Sequence, residues 1–103
     1  MTMKTISTPK LEELINKGEY LLLDVRTASE FNECHIPGSV NVPLDKLGAE
    51  IKQYKDKKII LTCRSGGRAS IAYEAVKDVV ADCICYKGSL NAWCLTERKT
   101  NSC

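Results

Sequence analysis

Lys58-Ile59-Ile60-Leu61-Thr62-Cys63-Arg64-Ser65-Gly66-Gly67-Arg68 decides how the rest of this chain is read. Ile59, Ile60 and Leu61 are consecutive apolar residues rather than alternating ones, the pattern of a short strand buried on both faces. The run leads straight into Cys63, two glycines follow, and an apolar pattern with helical spacing opens at Arg68. A helix is expected from Arg68 to Val80, with Ile71, Ala72, Ala75, Val76 and Val79 on its inner side. Strand, tight loop and helix in that order form the repeating unit of an α/β domain. In open α/β sheets ligands gather at the carboxyl ends of strands, which puts Cys63 where chemistry is expected.

The flanking sequence keeps the same alternation. Upstream, Thr8 followed by Pro9 reads as an N-cap with proline at the first helical position, and Leu11, Leu14 and Ile15 recur at helical spacing before a stop at Gly18. Tyr20 to Val25 is a second buried strand. Thr27 to Glu30 has the form of a capping box and opens a short helix. Val40 to Val42 makes a short strand after the Ile36-Pro37-Gly38 turn, and Pro43 to Tyr54 a helix with Leu44, Leu47 and Ile51 inward. Downstream come a strand near Cys83 to Tyr86 and a closing helix from Ser89 to Arg98 that carries Trp93. The order argues an α/β fold with a largely parallel sheet covered by helices on both faces. At 103 residues the chain is the size of one domain, so a single domain over 1–103 is expected.

Composition removes several function classes. A net charge of +2 and no uninterrupted basic run argue against nucleic acid as a partner. Lys55, Lys57 and Lys58 are broken by Asp56 and read as a solvated turn before a strand. No apolar stretch approaches membrane-spanning length, and residues 1–10 lack the apolar core of an export signal, so no membrane association and a cytoplasmic location are expected. Six cysteines in a short chain raise the possibility of a disulfide scaffold or a metal site. A scaffold compensates for a poor core, which this chain does not have. Zinc is disfavoured by the absence of any Cys-x-x-Cys pair and by a single histidine, His35. Mostly reduced thiols with one special member, no metal and no cofactor, is the expectation.

That member is Cys63. A tight loop at a strand end can turn successive backbone N–H groups inward to hold an anion. Gly66 and Gly67 permit the backbone angles this needs. The start of the next helix adds its positive dipole end, and Arg64 and Arg68 bring permanent charge. Cysteine reacts as its thiolate, so such surroundings activate it without a histidine base. A lone strand-end cysteine is more often an inert buried residue; two glycines, two arginines and a helix start within five positions favour a nucleophile.

Cys63-Arg64-Ser65-Gly66-Gly67-Arg68-Ala69 resembles the active-site loop of rhodanese domains, Cys-x-x-Gly-x-Arg followed by Ser or Ala. The upstream stretch from Leu23-Asp24-Val25-Arg26 through Glu30-Phe31 and His35-Ile36-Pro37-Gly38 to Asn41 and Leu44 is similar to the family's N-terminal signature. Tyr86-Lys87-Gly88-Ser89-Leu90-Asn91-Ala92-Trp93 is similar to its C-terminal one. The resemblance implies a central parallel sheet of about five strands flanked by helices on both faces. It also implies sulfur transfer in two halves. The Cys63 thiolate takes the outer sulfur of a small-molecule donor (thiosulfate or a persulfide) and becomes a persulfide. A thiophilic acceptor then removes that sulfur: cyanide in vitro, a thiol or a protein in cells. Arg64, Ser65, Gly66, Gly67 and Arg68 are the implied substrate-binding cradle. The family's phosphatase and arsenate-reductase relatives carry one residue more in the loop, so the four residues between Cys63 and Arg68 favour sulfur over phosphate or arsenate.

Asp24, Arg26 and Glu30 read as a buried polar set that supports the loop from behind, with Arg26 paired to one of the two carboxylates. His35, in the same signature, is expected to be structural rather than a base. Three positions depart from the family pattern. Cys34 stands where glycine usually precedes the histidine, Ser89 replaces a second glycine, and Ala69 replaces a serine. Cys34 and Cys103 are open candidates for a resolving thiol, whereas Cys83, Cys85 and Cys94 read as incidental. The rival readings are a persulfide carrier fed by a partner protein and a non-catalytic recognition domain. The second is disfavoured because Cys63, both arginines and both glycines are all present.

Overall fold

A computed structural model describes residues 3–96. Its elements alternate as α1 (Thr8–Lys17), β1 (Leu21–Asp24), α2 (Ala28–Glu33), β2 (Val40–Asn41), α3 (Leu44–Glu50), a 3-10 turn (Ile51–Tyr54), β3 (Lys58–Thr62), α4 (Gly67–Val76), β4 (Asp82–Cys85) and α5 (Ser89–Leu95). The four strands form one parallel sheet in the order β2-β1-β3-β4. A fifth strand is reduced to a single parallel bridge, Thr5 to Cys85, flanked by bonds from Cys85 N–H to the Lys4 carbonyl and from Ile6 N–H to the Cys85 carbonyl. The reason is local: Ser7 caps α1 immediately afterwards, which leaves too few residues to extend the pairing.

β3 explains the continuous apolar run. Ile59 and Leu61 pack with Leu23, Leu47, Ala72 and Val76 on the side of α3 and α4. Ile60 points the other way, with Leu11, Leu14, Ile84, Leu90 and Trp93 on the side of α1 and α5. Period-two side chains therefore feed two separate cores, each worth roughly 1.5–3 kcal/mol per fully buried aliphatic side chain. Trp93 lies in the second of them, a core residue.

Several local expectations are corrected. The α1 cap is Ser7, whose hydroxyl accepts the Lys10 N–H, while the Thr8 hydroxyl is 2.6 Å from the Tyr86 hydroxyl. In α4 the buried face is Ala69, Ala72, Tyr73 and Val76; Ile71, Ala75 and Val79 face outward. Helical spacing alone fits either stripe, and the choice falls to close approach: Ala69 and Ala72, both wholly buried, let α4 lie near the sheet. The helix also stops at Val76 rather than Val80. The expected helix over 43–54 breaks into α3 and the 3-10 turn. The last part of the expected C-terminal helix lies outside the described residues, as does Cys103. Among the described residues no helix is long and apolar enough to cross a membrane.

Candidate active site

Cys63 follows the last residue of β3 and is 1% exposed. Its sulfur receives the Gly66 N–H at 3.0 Å and the Ala69 N–H at 3.4 Å. Gly66 makes this turn with φ +103, and a Cβ built on it would stand 2.2 Å from the Lys87 carbonyl oxygen. Glycine is needed there for both its backbone angle and its lack of a side chain. From the opposite side the start of α5 braces the loop. Leu90 N–H donates to the Cys63 carbonyl and Asn91 N–H to the Arg64 carbonyl, each at 3.0 Å. The Cys63 N–H donates to the Ser89 hydroxyl, also at 3.0 Å.

The expected cradle comprises Arg64, Ser65, Gly66, Gly67 and Arg68. Of its five residues only Gly66 sends an N–H to the sulfur, and Ala69, one turn into the helix, supplies the other. Arg64 and Ser65 stand exposed at the rim. A helix start presents its first N–H groups along its axis, so a sulfur seated at the axis meets an amide inside the helix as well as one before it.

The two loop arginines share one carboxylate. Arg68 meets Glu30 through two bonds, Nη1 to Oε1 at 2.6 Å and Nη2 to Oε2 at 2.9 Å, and Arg64 Nε lies 3.6 Å from Glu30 Oε2. The Arg68 bonds hold the Glu30 carboxyl down at about 2 and push the Arg68 guanidinium up. Glu30 is thus not part of a buried set behind the loop. It sits at the rim, 24% exposed, and reaches forward to both arginines. The capping box holds it in place: Thr27 N–H and the Thr27 hydroxyl both donate to Oε1, the oxygen that also accepts from Arg68 Nη1, which fixes the side chain at the first turn of α2.

Asp24 is the carboxylate that pairs with Arg26, through Nε at 2.9 Å and Nη2 at 2.7 Å. Arg26 is wholly buried, and its remaining donors go to the carbonyls of Glu30 and Cys34 at the end of α2. The pair therefore ties the end of β1 to the helix that carries Glu30. Asn41 completes this frame by donating to the carbonyls of Asp24 and Arg26, each at 3.0 Å. His35 plays a different part. Its Nδ1 lies 2.8 Å from the Phe31 carbonyl and its ring stacks on Phe31 at 3.8 Å, so it finishes α2 rather than facing the sulfur.

Cys83 and Cys85 are buried in β4, and burial pushes the Cys83 thiol up to about 12 and the Cys85 thiol up as well, which keeps both protonated and unreactive. Cys94 is an exposed free thiol on α5. Cys34 is half-buried against the core shared by α1 and α5. Beside the loop, Val25, Thr27, Pro43, Leu44, Asp45 and Arg68 line a cavity of about 330 Å³. Cys63 is not in its wall; Arg68 is the residue common to both. Sequence reasoning missed Ser89, noticed only as a departure from a glycine, whose Oγ lies 3.8 Å from Cys63 Sγ.

Comparison with known proteins gives a consistent result. The family model described as Rhodanese-like domain matches residues 7–96. The chain is 32% identical to Rhodanese domain-containing protein CG4456 of Drosophila melanogaster, over 85% of this chain and 94% of that protein. It is 37% identical to Adenylyltransferase and sulfurtransferase MOCS3 of Drosophila persimilis, over 85% of this chain but 22% of that longer protein. The crystal structure of a rhodanese-related protein from Thermoplasma volcanium superposes with a TM-score of 0.87 at 26% identity, covering 96% of this chain and 98% of that one.

Proposed function

The chain belongs to the rhodanese-like domain family, whose members include relatives named as sulfurtransferases, and on that premise we propose that it transfers sulfane sulfur through Cys63. The observation that carries the reading is the convergence of the Gly66 and Ala69 N–H groups on the Cys63 sulfur at the start of α4. Donors fixed in advance around a nucleophile favour its anion and need no rearrangement when charge develops.

In the first half-reaction the thiolate attacks the outer sulfur of thiosulfate. A sulfur–sulfur bond forms at Sγ, the bond within thiosulfate breaks, and sulfite leaves with its electron pair. In the second, a thiophilic acceptor attacks the outer sulfur of the persulfide, and Cys63 leaves as the thiolate. No proton has to move at Cys63 in either half, consistent with His35 serving α2 instead. Arg64 and Arg68 together carry one more charge than Glu30 cancels, so the rim remains attractive to an anionic donor. A cysteine residue only 1% exposed also suits a small donor.

A second reading has support from the relatives in which the matched stretch is 22% of a longer chain: a carrier that receives its sulfur from a partner protein. Intact-mass measurement separates the two. Reduced protein is mixed with thiosulfate and then with cyanide, with Cys63→Ser in parallel. A gain of one sulfur that requires Cys63 and is discharged by cyanide establishes the thiosulfate cycle. Loading by a protein persulfide but not by thiosulfate selects the carrier. No loading from either source refutes both.

A further inference from the structure

Ser89 opens α5 with φ +56, the only positive φ outside glycine among the described residues, and it is wholly buried. That backbone region strains any residue with a Cβ and costs glycine nothing. A serine held there against the strain directs attention to its hydroxyl.

The Ser89 oxygen accepts the Cys63 N–H at 3.0 Å, so it fixes the backbone of the nucleophile. Its own proton has two acceptors within reach: the Tyr86 carbonyl at 2.8 Å and the Cys63 sulfur at 3.8 Å. The Tyr86 carbonyl also accepts the Ser89 backbone N–H at 3.1 Å, so it keeps a partner when the hydroxyl turns away. For a neutral thiol the carbonyl is the better acceptor. For a thiolate the order reverses, because hydrogen bonds to a charged acceptor are shorter and roughly twice as strong.

We propose that Ser89 is a positioning residue for Cys63 whose hydroxyl swings from the Tyr86 carbonyl to the sulfur as the thiolate forms. The sulfur then has three donors from three directions: Gly66 in the loop, Ala69 in α4 and Ser89 in α5. The inference rests on Cys63 acting as an anionic nucleophile. Its greatest effect falls on the second half-reaction, where the thiolate is the leaving group.

The test uses Ser89→Gly, which removes the hydroxyl and suits the backbone angle, and Ser89→Ala, which removes the hydroxyl alone. Iodoacetamide alkylation of the reduced protein is followed on the Cys63 peptide by mass spectrometry as pH is raised from mildly acid to mildly alkaline. In both variants the rate profile is expected to move to higher pH by about one unit, making alkylation on the acid limb roughly tenfold slower. Thermal unfolding of the glycine variant stays near that of the native protein. A profile that coincides with the native one in either variant overturns the proposal and leaves Ser89 as a brace for α5. Should the alanine variant not fold, the glycine variant decides alone. Alkylation needs no sulfur donor, so its outcome is independent of sulfur loading. A shifted profile in a protein that never takes up sulfur would sustain Ser89 and defeat the sulfurtransferase reading.

Discussion

Neutralising Glu30 without changing its shape isolates what the arginine clamp contributes. In Glu30→Gln the amide oxygen can still take the place of Oε1 in the capping box, since glutamine serves that motif as well as glutamate. What disappears is the charge facing Arg68 and Arg64. Arg68 holds the Glu30 carboxyl at about 2, against an ordinary value of 4.5. At about 1.4 kcal/mol per unit, that depression sets a ceiling of roughly 3–4 kcal/mol. Solvent reaches the pair, with the Arg68 side chain 36% and the Glu30 side chain 24% exposed, so screening lowers the expected loss to about 1–2 kcal/mol. For a domain of this size that is a fall in Tm of roughly 5–15 °C at neutral pH.

The pH dependence follows from the direction of the shift. A carboxylate depressed on folding stabilises the native state fully above its unfolded value, and the stabilisation is lost as pH falls through the folded one. The gap between native protein and Glu30→Gln is therefore widest above about pH 5 and closes between there and pH 2. Urea unfolding at a series of pH values measures it. A gap of the same size at pH 7 and near pH 2 would refute the reasoning, because it would place the loss in packing rather than in charge. Arg68→Gln in a double-mutant cycle with Glu30→Gln supplies the internal check, since the coupling energy of the pair should account for most of the single-variant loss.

Gly66→Ala places a methyl 2.2 Å from the Lys87 carbonyl in a backbone conformation that alanine resists, so the loop must shift. Cys63 alkylation at neutral pH is expected to fall at least about tenfold, together with a stability loss of roughly 1–3 kcal/mol; native rates in a folded variant would contradict the close approach. The Thr62 hydroxyl is buried at the end of β3 with no hydrogen-bond partner among the described residues. Thr62→Val replaces it with a methyl of similar size and should stabilise the protein by about 1 kcal/mol, seen as a rise in Tm of roughly 4–8 °C. A lower Tm would mean that the hydroxyl is satisfied by a partner in solution.

The alternation of strands and helices was legible in the chain because it rests on local properties. Consecutive Ile59, Ile60 and Leu61 cannot all be buried by a strand covered on one face, and Gly18 and the Thr27–Glu30 box mark helix ends through their own backbone chemistry. The candidate nucleophile was legible for the same reason, since a cysteine, two glycines and a helix start within one loop carry their geometry with them. Contacts between distant segments were not legible. Which carboxylate meets Arg26, and that Glu30 reaches 38 positions along the chain to Arg68, depend on how β1, α2 and α4 converge at one end of the sheet. The inner face of α4 depended on how closely the helix approaches the strands, which its own periodicity does not encode. Ser89 is the clearest case. In the chain it is an ordinary serine, and only when α5 is docked against the end of β3 does its hydroxyl come between the backbone and the sulfur of Cys63. Local conformation follows from neighbouring residues, whereas the partners of a buried polar group are set by packing, because burial is what forces such groups to find one another.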